Sequence, residues 1–152
     1  MTLARLKRGY YVLEWLNMYA TAYYFNYLFF YMRTDFGFGD RENLGLAALN
    51  GFVYIFAAVF GGRFAQKHGY FFALRLGFGI MAIALVIGSQ LSVIAGQFAV
   101  MIAWTVGVCF TWPTLEALVS ENEKRADLPR RIGVYNIVWA SGVAVSFFTG
   151  GA

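Results

Sequence analysis

Charge is scarce in this sequence, and so are the residues on which catalysis and metal binding rely. Only 13% of the 152 residues are charged, about half the fraction of an average soluble domain, whereas 60% are hydrophobic and 20% aromatic. A soluble domain built on one core is therefore excluded as a starting point. Cys109 is the single cysteine, which rules out an internal disulfide framework and a cysteine zinc site; it is expected to be a small packing residue. His68 is the single histidine, so there is no nucleophile with its base and no ligand cluster. Neither an enzyme nor a metal or cofactor site is expected. No Gly-x-x-x-x-Gly-Lys-Ser/Thr loop occurs, so nothing points to work driven by ATP.

What the chain has is long apolar runs. With Glu14 set aside, charge-free stretches cover 15–32, 43–62, 76–115 and 132–152, of 18, 20, 40 and 21 residues. About 20 apolar residues at 1.5 Å rise cross a hydrocarbon core of roughly 30 Å. The 40-residue run is twice that length, and Gly88-Ser89-Gln90-Leu91-Ser92 at its middle suits a tight turn. The expected fold is all-α and integral to the membrane, with five transmembrane helices near 9–32, 43–62, 70–91, 93–115 and 132–152. Continuous apolarity favours helices over a barrel, whose strands are shorter and alternate. A cleaved signal peptide does not fit either. The apolar stretch after the basic residues 1–8 is too long, contains Glu14 and lacks a small-residue cleavage site.

The net charge of +4 reflects topology rather than nucleic-acid binding. Arg5, Lys7 and Arg8 precede helix 1; Arg63, Lys67 and Arg75 flank the link between helices 2 and 3; Lys124, Arg125, Arg130 and Arg131 occupy the link between helices 4 and 5. The other side holds only Arg33 and Arg41, among Asp35, Asp40 and Glu42. Ten basic residues against two place the N-terminus in the cytoplasm. The last run stops at Thr149-Gly150-Gly151-Ala152 without a polar tail, so the chain is expected to be the front part of a longer protein.

Two motifs carry a family resemblance. Gly62-Arg63-Phe64-Ala65-Gln66-Lys67-His68-Gly69-Tyr70-Phe71 resembles the loop signature of the major facilitator superfamily of transporters, which reads Gly, three residues, Asp, a basic residue, any residue, Gly, two basic residues. Gly62, Lys67 and Gly69 match; Gln66 replaces the acidic residue, and Tyr70 and Phe71 the final basic pair. The resemblance implies a conformational loop. Gly62 is expected to let backbones approach and Gly69 to take positive φ, while Gln66 cannot carry the charge of the family's outward-open lock. Helix 5 resembles the antiporter pattern at Gly133, Gly142, Gly150 and Gly151, with Ser146-Phe147 in place of Gly-Pro, so antiport does not follow. Gly142, Ser146 and Gly150 recur every four residues as a packing stripe. Ala103 stands where many proton-coupled members have an arginine, four residues before Gly107, which excludes coupling through that residue. Residues 112–118 are similar to the cytoplasmic end of helix 4 in bacterial members, which implies a bacterial inner (plasma) membrane. The resemblance spans all 152 residues as five helices of a six-plus-six fold.

Polar residues within the spans are the candidates for a solute path. Glu14, Asn17, Thr21 and Tyr24 fall within about 80° on helix 1, at 100° per residue. Glu14 has two readings: a carboxylate snorkelling toward Arg8 or the interface, or a path residue that takes a proton or a cationic group of the solute. Seven of the ten tyrosines lie along helix 1; those at its ends suit the interfacial belt, and Tyr19, Tyr23 and Tyr24 lie mid-membrane. Trp104 in helix 4 and Asn136 and Trp139 in helix 5 complete the set, with interhelical packing as the alternative reading for each. Glu116 paired with Arg130 or Arg131 would form a cytoplasmic clasp, and Pro129 is expected to stop any helix ahead of the fifth span. The function implied is secondary transport of a small solute by alternating access, with lipid, solute and further helices of the same transporter as partners. The alternative is a small five-helix membrane protein acting as an assembly factor or oligomeric channel.

Overall fold

The computed structural model of the chain describes residues 3–150. Gly151 of the helix 5 pattern and Ala152, the expected helix end, lie outside the described residues. Five helices follow one another: α1 (Leu3–Phe36), α2 (Asp40–His68), α3 (Tyr70–Gly88), α4 (Ile94–Ser120) and α5 (Leu128–Thr149). Among the described residues there are no strands. α2 to α5 are long and apolar enough to cross a membrane. α1 departs from the expected set of five such helices. It is the longest, at 34 residues, yet Glu14, Asn17, Asn26 and its many tyrosines keep it below the apolarity of the others.

Helix ends run past the charge-free stretches, because a charged residue at a membrane surface continues a helix as readily as an apolar one. α2 therefore reaches through Arg63 and Lys67 to His68, and only Gly69 separates it from α3. At α2's start Glu42 accepts a hydrogen bond from the Gly39 backbone N–H at 2.9 Å, satisfying a donor left over at the helix N-terminus. The α3–α4 link falls at the expected Ser89-Gln90 turn. The buried Gln97 holds it, its side-chain amide donating to the carbonyls of Leu91 at 2.6 Å and Gly88 at 3.3 Å. Pro129 does not stop a helix but lies in the first turn of α5. A fixed φ and a missing N–H are harmless there, since that N–H would have no intrahelical acceptor.

The chain forms two compact units, one of Met1–Tyr27 and Leu115–Ala152, the other of Leu28–Thr114. In the second, glycines bring backbones together. A Cβ on Gly77 would stand 2.7 Å from the Gly107 carbonyl oxygen and one on Gly107 2.9 Å from that of Gly77, so α3 and α4 cross at a reciprocal glycine contact. α2 meets α4 at Gly61, where a Cβ would lie 2.2 Å from the Cys109 carbonyl oxygen. That carbonyl is four residues before Pro113, which lies inside α4 and has no N–H to offer it. Gly62, expected to be the close-approach residue, has open space around it; helical phase turns Gly61 rather than Gly62 toward α4. Cys109 is buried, its thiol 3.9 Å from the Tyr54 carbonyl oxygen.

In the first unit α5 lies on the N-terminal part of α1. A Cβ on Gly142 would stand 2.8 Å from the Trp15 carbonyl oxygen, Ser146 is fully buried, and Tyr19 and Thr149 share a hydrogen bond of 3.0 Å between hydroxyls. Gly150, the last of the stripe, is exposed and caps α5 through its N–H to the Ser146 carbonyl at 2.9 Å.

Candidate functional site

α1 is built inside out. Nine of its described residues are buried, namely Lys7, Tyr10, Glu14, Asn17, Met18, Thr21, Tyr24, Leu28 and Met32, and six of the nine carry a polar group. Its exposed positions include Val12, Leu16 and Phe30. In water the exposed apolar side chains would be unfavourable; apolar surroundings favour them, and the polar groups are turned toward the protein interior.

Glu14 is the centre of this face, with 0% of its surface accessible. It does not snorkel: Arg8 is exposed, and among the described residues the two form no ion pair. The side chains of Tyr135 on α5 and Asn17 on α1 lie within interaction range of the carboxyl group, and a second acidic side chain, Glu116, is nearby. Among the described residues neither carboxylate oxygen has a partner of good hydrogen-bonding geometry, and the Thr21 hydroxyl, also buried, has none. Tyr135 carries no signal in the sequence beyond its place next to Asn136; contact with α1 across more than a hundred residues makes it part of the site. Asn136 itself is exposed, and Trp139 is half-buried. Trp104 belongs to the other unit, buried on α4 beside Thr105, whose hydroxyl lies 2.6 Å from the Asn50 side-chain oxygen and 2.8 Å from the Met101 carbonyl oxygen.

The clasp near the N-terminal end of α1 uses Arg131, as one of the two expected pairings did, but with Glu123 in place of Glu116 and with Lys7 added. Lys7, only 4% exposed, donates to the Glu121 carbonyl oxygen at 2.7 Å and pairs with Glu123, and Glu123 pairs in turn with Arg131 at 2.9 Å. The hydrogen bond from Lys7, followed by that from Arg131, holds the Glu123 carboxyl below the usual carboxylate range. Its contribution to stability is therefore present at neutral pH and lost as pH falls through that lowered value. Glu116, one helical turn from the linker, instead lies near Glu14.

The bend between α2 and α3 rests on Gly69, at φ +95° and ψ 142°. Any Cβ there is strained, at a cost of about 1–3 kcal/mol. Gln66 and Lys67 beside it are exposed and Gly62 is half-buried. Gly69→Val should reduce transport by the complete protein more than Gln66→Ala does, with both variants inserted; initial uptake rates compare them. Normal transport by Gly69→Val would remove this bend from the mechanism.

Helices with apolar outer faces and a buried polar stripe define an integral membrane protein. The family profile described as Major Facilitator Superfamily matches residues 4–147, and the chain belongs to that family of membrane transporters. No curated protein and no solved structure matches it.

Proposed function

We propose that this chain is the N-terminal part of a secondary transporter that moves a small solute by alternating access, with Glu14, Asn17, Thr21 and Tyr24 lining the solute path. In this reading α1 spans the membrane with the other four helices, as the first five helices of a six-plus-six fold whose remaining helices complete the path. The N-terminus is cytoplasmic and the membrane the bacterial inner (plasma) membrane. The inside-out α1 carries the reading: a span that buries a carboxylate, an amide and a hydroxyl is expensive in lipid unless those groups serve a path. Family membership and the ten-to-two distribution of basic residues support it independently.

Accessibility at Thr21 tests the proposal. In the complete protein carrying Cys109→Ala, a membrane-impermeant maleimide should label Thr21→Cys from the cytoplasmic side and, in separate vesicles, from the opposite side. Solute should alter the two rates in opposite directions. A cysteine at position 21 that is inert from both sides would place this face in permanent packing and overturn the assignment.

A further inference from the structure

Between Asn43 and Leu115 the chain contains no aspartate or glutamate, and its only lysine and arginine residues there are Arg63, Lys67 and Arg75, within 13 residues around the Gly69 bend. All three are exposed, and among the described residues none forms an ion pair. The other basic clusters differ. Arg33 pairs with Asp40, Lys7 and Arg131 share Glu123, and Lys124 and Arg125 in the α4–α5 linker and Arg130 in the first turn of α5 are close in sequence to Glu121 and Asp127. Among the described residues the α2–α3 end thus carries three exposed cations with neither an ion pair nor an acidic neighbour in sequence; Arg5 and Arg8 at the start of α1 are also exposed and form no ion pair, but they flank Lys7, which is tied to Glu123.

The same end carries exposed aromatic rings. Phe60 is 66% exposed, Phe71 56% and Phe72 53%. On α2, Phe60, Arg63 and Lys67 share one face, within about 60°. On α3, Arg75 follows Phe71 by four residues and Phe72 by three, so it stands above both on the helix surface. Cations beside exposed phenylalanines at the end of two apolar helices match a surface that is ionic at headgroup level and apolar below it.

We propose that the α2–α3 bend is a docking surface for anionic phospholipid, with Arg63, Lys67 and Arg75 on the headgroup phosphates and Phe60, Phe71 and Phe72 among the acyl chains. Charge complementarity selects this occupant: the helices lack acidic residues of their own here, and an anionic leaflet supplies the counter-charge. The membrane setting suffices, and no solute enters the measurement, so failure of the alternating-access reading leaves this one standing.

The test uses the complete protein reconstituted in phosphatidylcholine bilayers containing a minority of phosphatidylglycerol. Spin-labelled lipids of each type report association at the protein surface. Wild type should prefer phosphatidylglycerol, and the preference should weaken with added salt. Each cation neutralised among Arg63→Gln, Lys67→Gln and Arg75→Gln should reduce association at this surface about fivefold. The linker triple Lys124→Gln, Arg125→Gln and Arg130→Gln should retain the preference. Should the α2–α3 triple fail to fold, Lys67→Gln alone reads the same effect. Undiminished preference in the folded α2–α3 variants, or equal loss in the linker triple, overturns the proposal.

Discussion

Glu14→Gln should abolish net solute accumulation by the complete transporter while leaving the protein folded and inserted. Glutamine preserves shape and hydrogen-bonding capacity and removes the charge, so Tyr135 and Asn17 keep a polar neighbour and the packing of α5 on α1 is undisturbed. If the carboxyl takes up a proton or meets a cationic group of the solute as the path changes access, wild-type uptake varies with pH and the residual uptake of Glu14→Gln does not. Uptake into proteoliposomes across a pH series checks this, with size-exclusion elution as the folding control. Equal, pH-independent uptake in the two proteins would reduce Glu14 to a packing residue.

Gly61→Val should be the most damaging single methyl-bearing substitution in α2. Its Cβ would be built 2.2 Å from the Cys109 carbonyl oxygen and 2.8 Å from the carbonyl carbon, and backbone atoms cannot step aside as a side chain does. α2 and α4 must separate, at a cost at or above the upper end of the roughly 1–3 kcal/mol typical of overpacking. Gly62→Val, one residue on, meets nothing within 4 Å and should change stability by less than about 1 kcal/mol. Thermal denaturation of the two variants in detergent provides the comparison. Equal midpoints would show that α2 and α4 do not meet at Gly61.

The contrast between Gly61 and Gly62 also marks how far the sequence can be read. Apolar run length locates α2 to α5, because a bilayer's thickness fixes the length of a span without reference to its neighbours. The family pattern draws attention to Gly62 and Gly69, and Gly69 takes the positive φ at the bend. Which of two adjacent glycines faces another helix depends on helical phase against a partner tens of residues away, and no local signal contains that. The ion pairs fail to be legible for the same reason. Lys7 is 116 residues from Glu123, and the choice of Glu123 over Glu116 as the partner of Arg131 follows from the linker's path after Ser120. The polar stripe of α1 is legible from a 100° rotation per residue; that Glu14 is wholly enclosed, rather than reaching toward Arg8, requires α5 and Tyr135 to be in place.

The low apolarity of α1 has a consequence for how the protein is made. The helix that precedes the others in the chain is the one that partitions into lipid least readily, since its polar stripe has no shelter until a partner covers it. Part of that shelter is α5, whose Gly142 lies against the Trp15 backbone from 127 residues further along. Until α5 is made α1 is therefore a poorly held segment, and it becomes secure only when nearly the whole of this stretch has been translated. Assembly here runs against the order of the chain: α1 emerges before α5 but is fixed only with it, and its retention reports that α5 has arrived.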